Sequence, residues 1–204
     1  NVIDAGYGII RASYSATQKF GNVTVVGEPG NSLSGRTRGA AAFSLLAGHD
    51  LTLENVNLDV WTTAGGGSCI PLAVDNADLT IIGGKLKVSN AQNCSIYAKG
   101  NGNLTIINAE IETSSTFTSA TNGAGAIHAG NVLKIANSTI NGASSNGVAL
   151  YGANGVVLNG GTYNLNGAGF AINGASIKIN GGVVEATGGS SAAAIDFIKQ
   201  RGAK

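Results

Sequence analysis

Six stretches of this chain align over ten residues without a gap: LTLENVNLDV from Leu51, LTIIGGKLKV from Leu79, LTIINAEIET from Leu104, LKIANSTING from Leu133, VVLNGGTYNL from Val156 and IKINGGVVEA from Ile177. Their starts lie 28, 25, 29, 23 and 21 residues apart, and VTVVGEPG from Val23 fits the first columns of a seventh copy. A unit this short cannot bury its own apolar face, so each copy must stack on its neighbours and the chain must form a solenoid.

The columns of the block separate by chemistry. Columns one, three and eight hold Leu, Ile, Val or Tyr in every copy, whereas column two reads Thr, Thr, Thr, Lys, Val, Lys and column nine reads Asp, Lys, Glu, Asn, Asn, Glu. Alternation with period two is the signature of a strand with one face buried. Column five is Asn, Gly, Asn, Asn, Gly, Gly, the residue types that enter a left-handed backbone conformation at little cost. Each block therefore reads as strand, corner, strand.

A weaker apolar pair recurs upstream of each block: Phe43/Leu45, Ile70/Leu72, Ile96/Ala98, Ile127/Ala129, Val148/Leu150, Phe170/Ile172 and, last, Ile195/Phe197. Three strands per coil and stacking of like strands describe an all-β, right-handed, single-stranded parallel β-helix of about seven coils, its hand set by the crossover rule. The expected organisation is a single domain over residues 1–204, with coils over 23–197, a cap over 1–22 and a basic C-terminal tail or cap over 198–204. Caps are expected because open solenoid ends expose strand edges and core.

Composition narrows the class. Gly at 32 of 204 residues and only 11% charged residues would suit a flexible chain, but 43% hydrophobic residues supply enough apolar surface for one core. A net charge of +1 with scattered cations gives no electrostatic footprint for nucleic acid. No apolar run approaches the roughly 20 residues that cross a bilayer. With no signal peptide and no Met anywhere, the chain reads as a processed or excised piece, and as a monomer.

Cys69 and Cys94 lie 25 residues apart, each just before a third-strand pair. One coil of separation puts their backbones within about 5 to 7 Å, inside disulfide range. Either they are bonded, which would argue for an oxidising, extracellular setting, or they are two free thiols beside a corner. Two cysteines without a CxxC motif do not make a zinc site. Asp75 and Asp78 share one short connection, where acids satisfy backbone amides more often than they hold a cation. No metal and no cofactor are expected.

The outward positions of the block look structural. Lys85 and Lys87 stand between Asn57/Asp59 and Glu110/Glu112 of the adjacent coils, the kind of cross-strand pairing that stabilises a sheet surface by about 0.2 to 1 kcal/mol per pair. Thr52, Thr80 and Thr105 form a similar outward ladder, too short for an ice-binding array. The third strand differs. Its outward positions read Ser44, Pro71, Tyr97, His128, Ala149, Ala171 and Asp196 in one column and Leu46, Ala73, Lys99, Gly130, Tyr151, Asn173 and Ile198 in the next. The longest connections, one with Trp61 and one spanning residues 113–125, enter this strand and would wall a shallow groove. Aromatic rings beside hydrogen-bonding groups on a long rigid groove suit a polysaccharide, whose rings offer C–H faces and hydroxyls.

The coil of three strands, the Asn/Gly corner and the variable loops beside the remaining sheet resemble the pectin-lyase-like superfamily of right-handed β-helices over about Val23 to Phe197. The block LTIxGGxLxV is also similar to repeats in surface-exposed carbohydrate-binding β-helix proteins of Gram-positive bacteria. In the superfamily's pectate lyases the groove carries acidic residues that hold Ca²⁺ and a basic Arg, and in its polygalacturonases a cluster of Asp. Here that face carries Asp196 alone, so no catalytic residue carries over. His49, in GHD, falls in a connection, and His128 has no expected carboxylate to activate it.

The resulting expectation is a non-catalytic polysaccharide binder, extracellular or on a bacterial cell surface. Tyr97 and Tyr151 would stack sugar rings, Lys99, His128 and Asn173 would bond hydroxyls or a uronic carboxylate, and Trp61 would close one side. A structural spacer or protein-binding adhesin, and a polysaccharide lyase or hydrolase with unfamiliar residues, are the alternatives.

Overall fold

The computed structural model describes residues 2–5, 10–12, 23–27, 33–37, 43–45, 49–62, 70–90, 93–116, 125–190 and 193–197. It is an all-β parallel solenoid with three sheets, and no described residue is helical. Sheet 1 stacks the first strands of the blocks: Val23–Val26, Leu51–Glu54, Leu79–Ile82, Leu104–Ile107, Val132–Ala136, Gly155–Asn159 and Ile177–Ile179. Sheet 2 stacks the second strands: Val2–Ala5, Leu33–Thr37, Leu58–Thr62, Lys85–Asn90, Glu110–Ser115, Thr139–Ser144, Thr162–Gly167 and Val183–Thr187. Sheet 3 stacks Ile10–Ala12, Phe43–Leu45, Leu72–Asp75, Ile96–Lys99, Gly125–Ala129, Val148–Gly152, Ile172–Gly174 and Ile195–Phe197.

The alternation read from the block sets the inside. Column one is Leu51, Leu79, Leu104, Leu133 and Val156, each at most 1% exposed, and column eight is Leu58, Leu86, Ile111, Ile140 and Tyr163, each at most 3% exposed. Burying each such side chain contributes about 1.5 to 3 kcal/mol. Column five takes up the corner: Asn55, Asn108 and Asn137 have φ of 52, 52 and 48°, and Gly83, Gly160 and Gly181 stand at 63, 68 and 101°. The Asn and Gly of that column are thus there for one backbone conformation.

Two expectations need correction. Within the expected cap over 1–22, the described residues already stack on the coils: Val2–Ala5 pairs in parallel with Leu33–Thr37 and Ile10–Ala12 with Phe43–Leu45. Sheets 2 and 3 consequently have eight described strands where sheet 1 has seven. Secondly, the register of sheet 3 runs Leu72, Ile96, Ile127, Leu150, Ile172, Ile195. Its inward pairs are therefore Leu72/Val74, Leu150/Gly152 and Ile172/Gly174, not the pairs beginning at Ile70, Val148 and Phe170. Gly152 and Gly174 misled the reading because they fill apolar positions without a side chain. The fold requires them: a Cβ on Gly152 would stand 2.1 Å from the Gly155 carbonyl oxygen, and one on Gly174 2.6 Å from that of Gly152. The expected tail, 198–204, lies outside the described residues.

Candidate functional site

The corrected register moves the expected site residues closer together. Tyr97, His128, Tyr151, Asn173 and Asp196 are consecutive Cα partners in one outward column of sheet 3, preceded by Ala73. Tyr151 and Asn173, expected one column away from His128, are in line with it. The ring centroids of Tyr97 and His128 are 4.3 Å apart at an interplanar angle of 40°, and those of His128 and Tyr151 are 4.6 Å apart at 72°, edge to face. Asn173 Nδ2 donates to Asp196 Oδ2 at 3.4 Å.

Stacking along the rod axis turns these rings toward one another. Tyr97 packs on its other side against the small apolar patch of Ile70, Ala73 and Cys94. His128 is only 9% exposed, whereas Tyr97 and Tyr151 are partly exposed. Neither of these two phenol hydroxyls has a hydrogen-bond partner among the described residues, unlike Tyr163, whose hydroxyl donates to the Gly160 carbonyl. What the column offers outward is thus phenol edges and hydroxyls rather than open ring faces.

The column is electrically neutral at its centre. Burial lowers the His128 pKa to about 3 and pushes the Cys94 thiol, a free cysteine, up to about 12. Burial also raises both tyrosines, Tyr97 with smaller contributions from Cys94, Asp75 and Tyr151. Cys94 Sγ lies 3.6 Å from His128 Nδ1, so a neutral thiol faces a neutral imidazole. Among the described residues no carboxylate bonds His128. A neutral thiol and a neutral imidazole can exchange a weak hydrogen bond, but they do not make the thiolate–imidazolium pair of a nucleophilic site.

The other expected residues are scattered. Lys99 ends its strand opposite Asp75 and its ammonium lies 4.0 Å from that carboxylate, with both groups reaching solvent. Trp61 is not beside the tyrosines: it belongs to sheet 2, in register with Ser89. Cys69, the expected partner of Cys94, lies outside the described residues, as does most of the loop expected to wall the groove. Asp78 is committed to backbone and amide hydrogens, its Oδ1 accepting from Asn103 N at 2.8 Å and Asn103 Nδ2 at 3.1 Å. Among the described residues no three His, Cys, Asp or Glu cluster as metal ligands would.

Sequence reasoning missed the character of the sheet 2 surface. Lys85–Glu110 and Lys87–Glu112 form cross-strand ion pairs of 2.7 and 3.1 Å, as the alternating charges suggested. Beyond Glu112 the same column turns to Asn141 and Asn164. Those two asparagines were legible as ladder residues, but that their amides bond no other described residue was not.

No family description, no curated protein and no solved structure matches this chain.

Proposed function

We propose that this protein is a non-catalytic rod that binds a polysaccharide along the outward face of sheet 3, outside a bacterial cell. The observation that carries the reading is the single register column Tyr97, His128, Tyr151, Asn173, which repeats one polar or aromatic group per coil along a rigid axis, as a polymer ligand repeats its sugars. The hydroxyls of Tyr97 and Tyr151 bond sugar hydroxyls, while His128 holds the two rings upright from its buried position rather than touching the ligand. Lys99, beside Asp75, meets a uronic carboxylate if the polymer carries one. Resemblance to the pectin-lyase-like β-helices, whose grooves lie on the corresponding sheet, supports the same face.

A spacer or protein-binding role draws on one specific observation: the ring faces are consumed within the column, which makes it a stabilising zipper as well. The two readings separate in one experiment. The purified protein and a Tyr97→Phe/Tyr151→Phe variant are applied to immobilised plant, host and bacterial glycans, with a product assay on each hit. Phe keeps the packing and removes only the hydroxyls. Loss of two hydrogen bonds should weaken binding on the order of tenfold, with no product formed. Absence of binding to any glycan would leave the spacer or adhesin, and a released product would make the protein an enzyme.

A further inference from the structure

Sheet 2 carries a second polar surface, on a different side of the rod from the tyrosine column. Two of its outward columns run side by side, one through Lys87, Glu112, Asn141 and Asn164, the other through Trp61, Ser89, Ser114, Ala143 and Asn166. The small side chains of the second column leave a trough of about 410 Å³ between them, lined by Lys87, Ser89, Glu112, Asn141, Asn164 and Asn166 among others. A hollow of about 310 Å³ shares Lys87, Glu112 and Asn141 with it and extends the depression to Asp59. The depression therefore follows the rod axis.

The asparagines in the trough differ from three other stacked pairs of this chain. In those three pairs the amides bond one another: Asn131 Nδ2 donates to Asn103 Oδ1 at 3.0 Å, Asn154 Nδ2 to Asn131 Oδ1 at 2.8 Å and Asn180 Nδ2 to Asn159 Oδ1 at 2.7 Å, whereas Asn108 and Asn137, stacked at another corner, share no such bond. Asn141 and Asn164 are direct register partners at the same one-coil separation, and their amides bond neither each other nor any other described group. Asn166 is likewise free. Each exposed amide keeps two donors and an acceptor for a ligand. Where the trough holds these asparagines, its two charges are paired with each other, Lys87 with Glu112 at 3.1 Å.

We infer that this trough is a second binding site, for an extended, uncharged glycan lying along the rod. Amides that are free beside charges that are closed favour hydroxyls over carboxylates or phosphates. The spacing agrees, because an extended pyranose chain advances by close to one strand spacing, about 4.8 Å, per sugar, so that successive coils meet successive sugars. Trp61 stands in the second column between Arg36 and Ser89 and is partly exposed, where an aromatic face can stack on a sugar. An extended peptide fits less well. Each strand of the trough is already paired on both sides, which leaves no open backbone edge for a peptide to join. The site is independent of the sheet 3 column and differs from it in taking no charged sugar.

The test is a calorimetric and NMR titration of the full chain with soluble neutral hexasaccharides of several linkages, with an oligogalacturonate and with an uncharged extended peptide. The site predicts that at least one neutral hexasaccharide binds with little dependence on salt and shifts amides of residues 85–90, 110–115, 139–144 and 162–167. Asn141→Ala/Asn164→Ala/Asn166→Ala should weaken that binding by tenfold or more while the melting temperature is kept, since all three side chains are exposed. Tyr97→Phe/Tyr151→Phe should leave it unchanged, so that failure of the sheet 3 site does not touch this one. The inference is overturned if no neutral hexasaccharide binds, if the triple variant binds as well as the parent, or if only the oligogalacturonate or the peptide shifts these residues.

Discussion

Cys94 Sγ and His128 Nδ1 lie 3.6 Å apart in a pocket of the sheet 3 surface where both residues are at most 9% exposed. Their pKa values diverge in the direction burial demands, the thiol to about 12 and the imidazole to about 3. Each group keeps its neutral form because neither can afford a charge away from water. The pair is a packing element that sets the angle of the imidazole between Tyr97 and Tyr151.

Cys94 should accordingly be inert in the folded protein. Iodoacetamide at pH 8, followed by peptide mass spectrometry, is expected to leave Cys94 unmodified for hours under native conditions and to modify it within minutes in denaturant. Thiolate is the reactive species, and a pKa of about 12 leaves very little of it at pH 8. Rapid native labelling of Cys94 would mean that the pocket opens or that the thiol is activated.

His128 predicts an acid-side loss of stability. Its folded pKa of about 3 lies below the ordinary 6.5, so between those values the unfolded chain binds the proton that the folded chain refuses. Stability from this group is present above pH 6.5 and falls as pH drops toward 3. From pH 7 to pH 4 the loss approaches about 3 kcal/mol. Its neighbours Cys94, Tyr97 and Tyr151 do not titrate in that window, the first at about 12 and the tyrosines raised by burial. In urea unfolding at both pH values, His128→Phe should lose less stability than the parent by about this amount. Equal losses would remove the assigned shift.

How much of this was legible from the chain depended on whether side chains announced their environment. Columns one, three and eight did, because aliphatic residues in alternation have one physical explanation, and the corner did, because Asn and Gly together mark a left-handed backbone. The third strand failed where Gly152 and Gly174 stand at inward positions, since a missing side chain carries no hydropathy, and the two-residue slip separated Tyr151 from His128 in the reading. Trp61 was assigned to the wrong face because a loop that follows a strand was allowed to carry the last residues of the strand itself. The free amides of Asn141 and Asn164 could not be read at all, because hydrogen bonding between stacked asparagines depends on backbone orientation that the sequence of one column does not contain.

Thr113 is the one described residue whose buried side-chain oxygen has no partner: it is 3% exposed, on the inward column of sheet 2 opposite Val88 and Gly142. An unsatisfied buried hydroxyl costs about 1 to 3 kcal/mol. Thr113→Val keeps the branched shape and deletes the stranded oxygen, so the variant should unfold at higher urea concentration with an unchanged slope, gaining about 1 kcal/mol. A loss of stability would show that an ordered water already serves the hydroxyl.

Adjacent glycines at one corner should respond in opposite ways. Gly160 has φ of 68°, and a Cβ there would meet the Asn137 carboxamide oxygen at 2.8 Å, the far end of a flexible side chain. Asn already occupies this column at Asn55, Asn108 and Asn137 with φ between 48 and 52°. Gly160→Asn is therefore expected to change stability by less than about 1 kcal/mol, its backbone strain offset by lower entropy of the unfolded chain. Gly161 has φ of 92°, and its Cβ would stand 2.3 Å from the backbone carbonyl oxygen of Ser138 one coil away. That oxygen accepts from Thr162 N at 2.9 Å and holds the register of the two coils, so it cannot retreat without breaking the ladder. Gly161→Ala should cost about 3 kcal/mol or more. Urea unfolding of the two variants in parallel checks both, and a tolerated Gly161→Ala would mean that successive coils are not packed as closely as this corner requires.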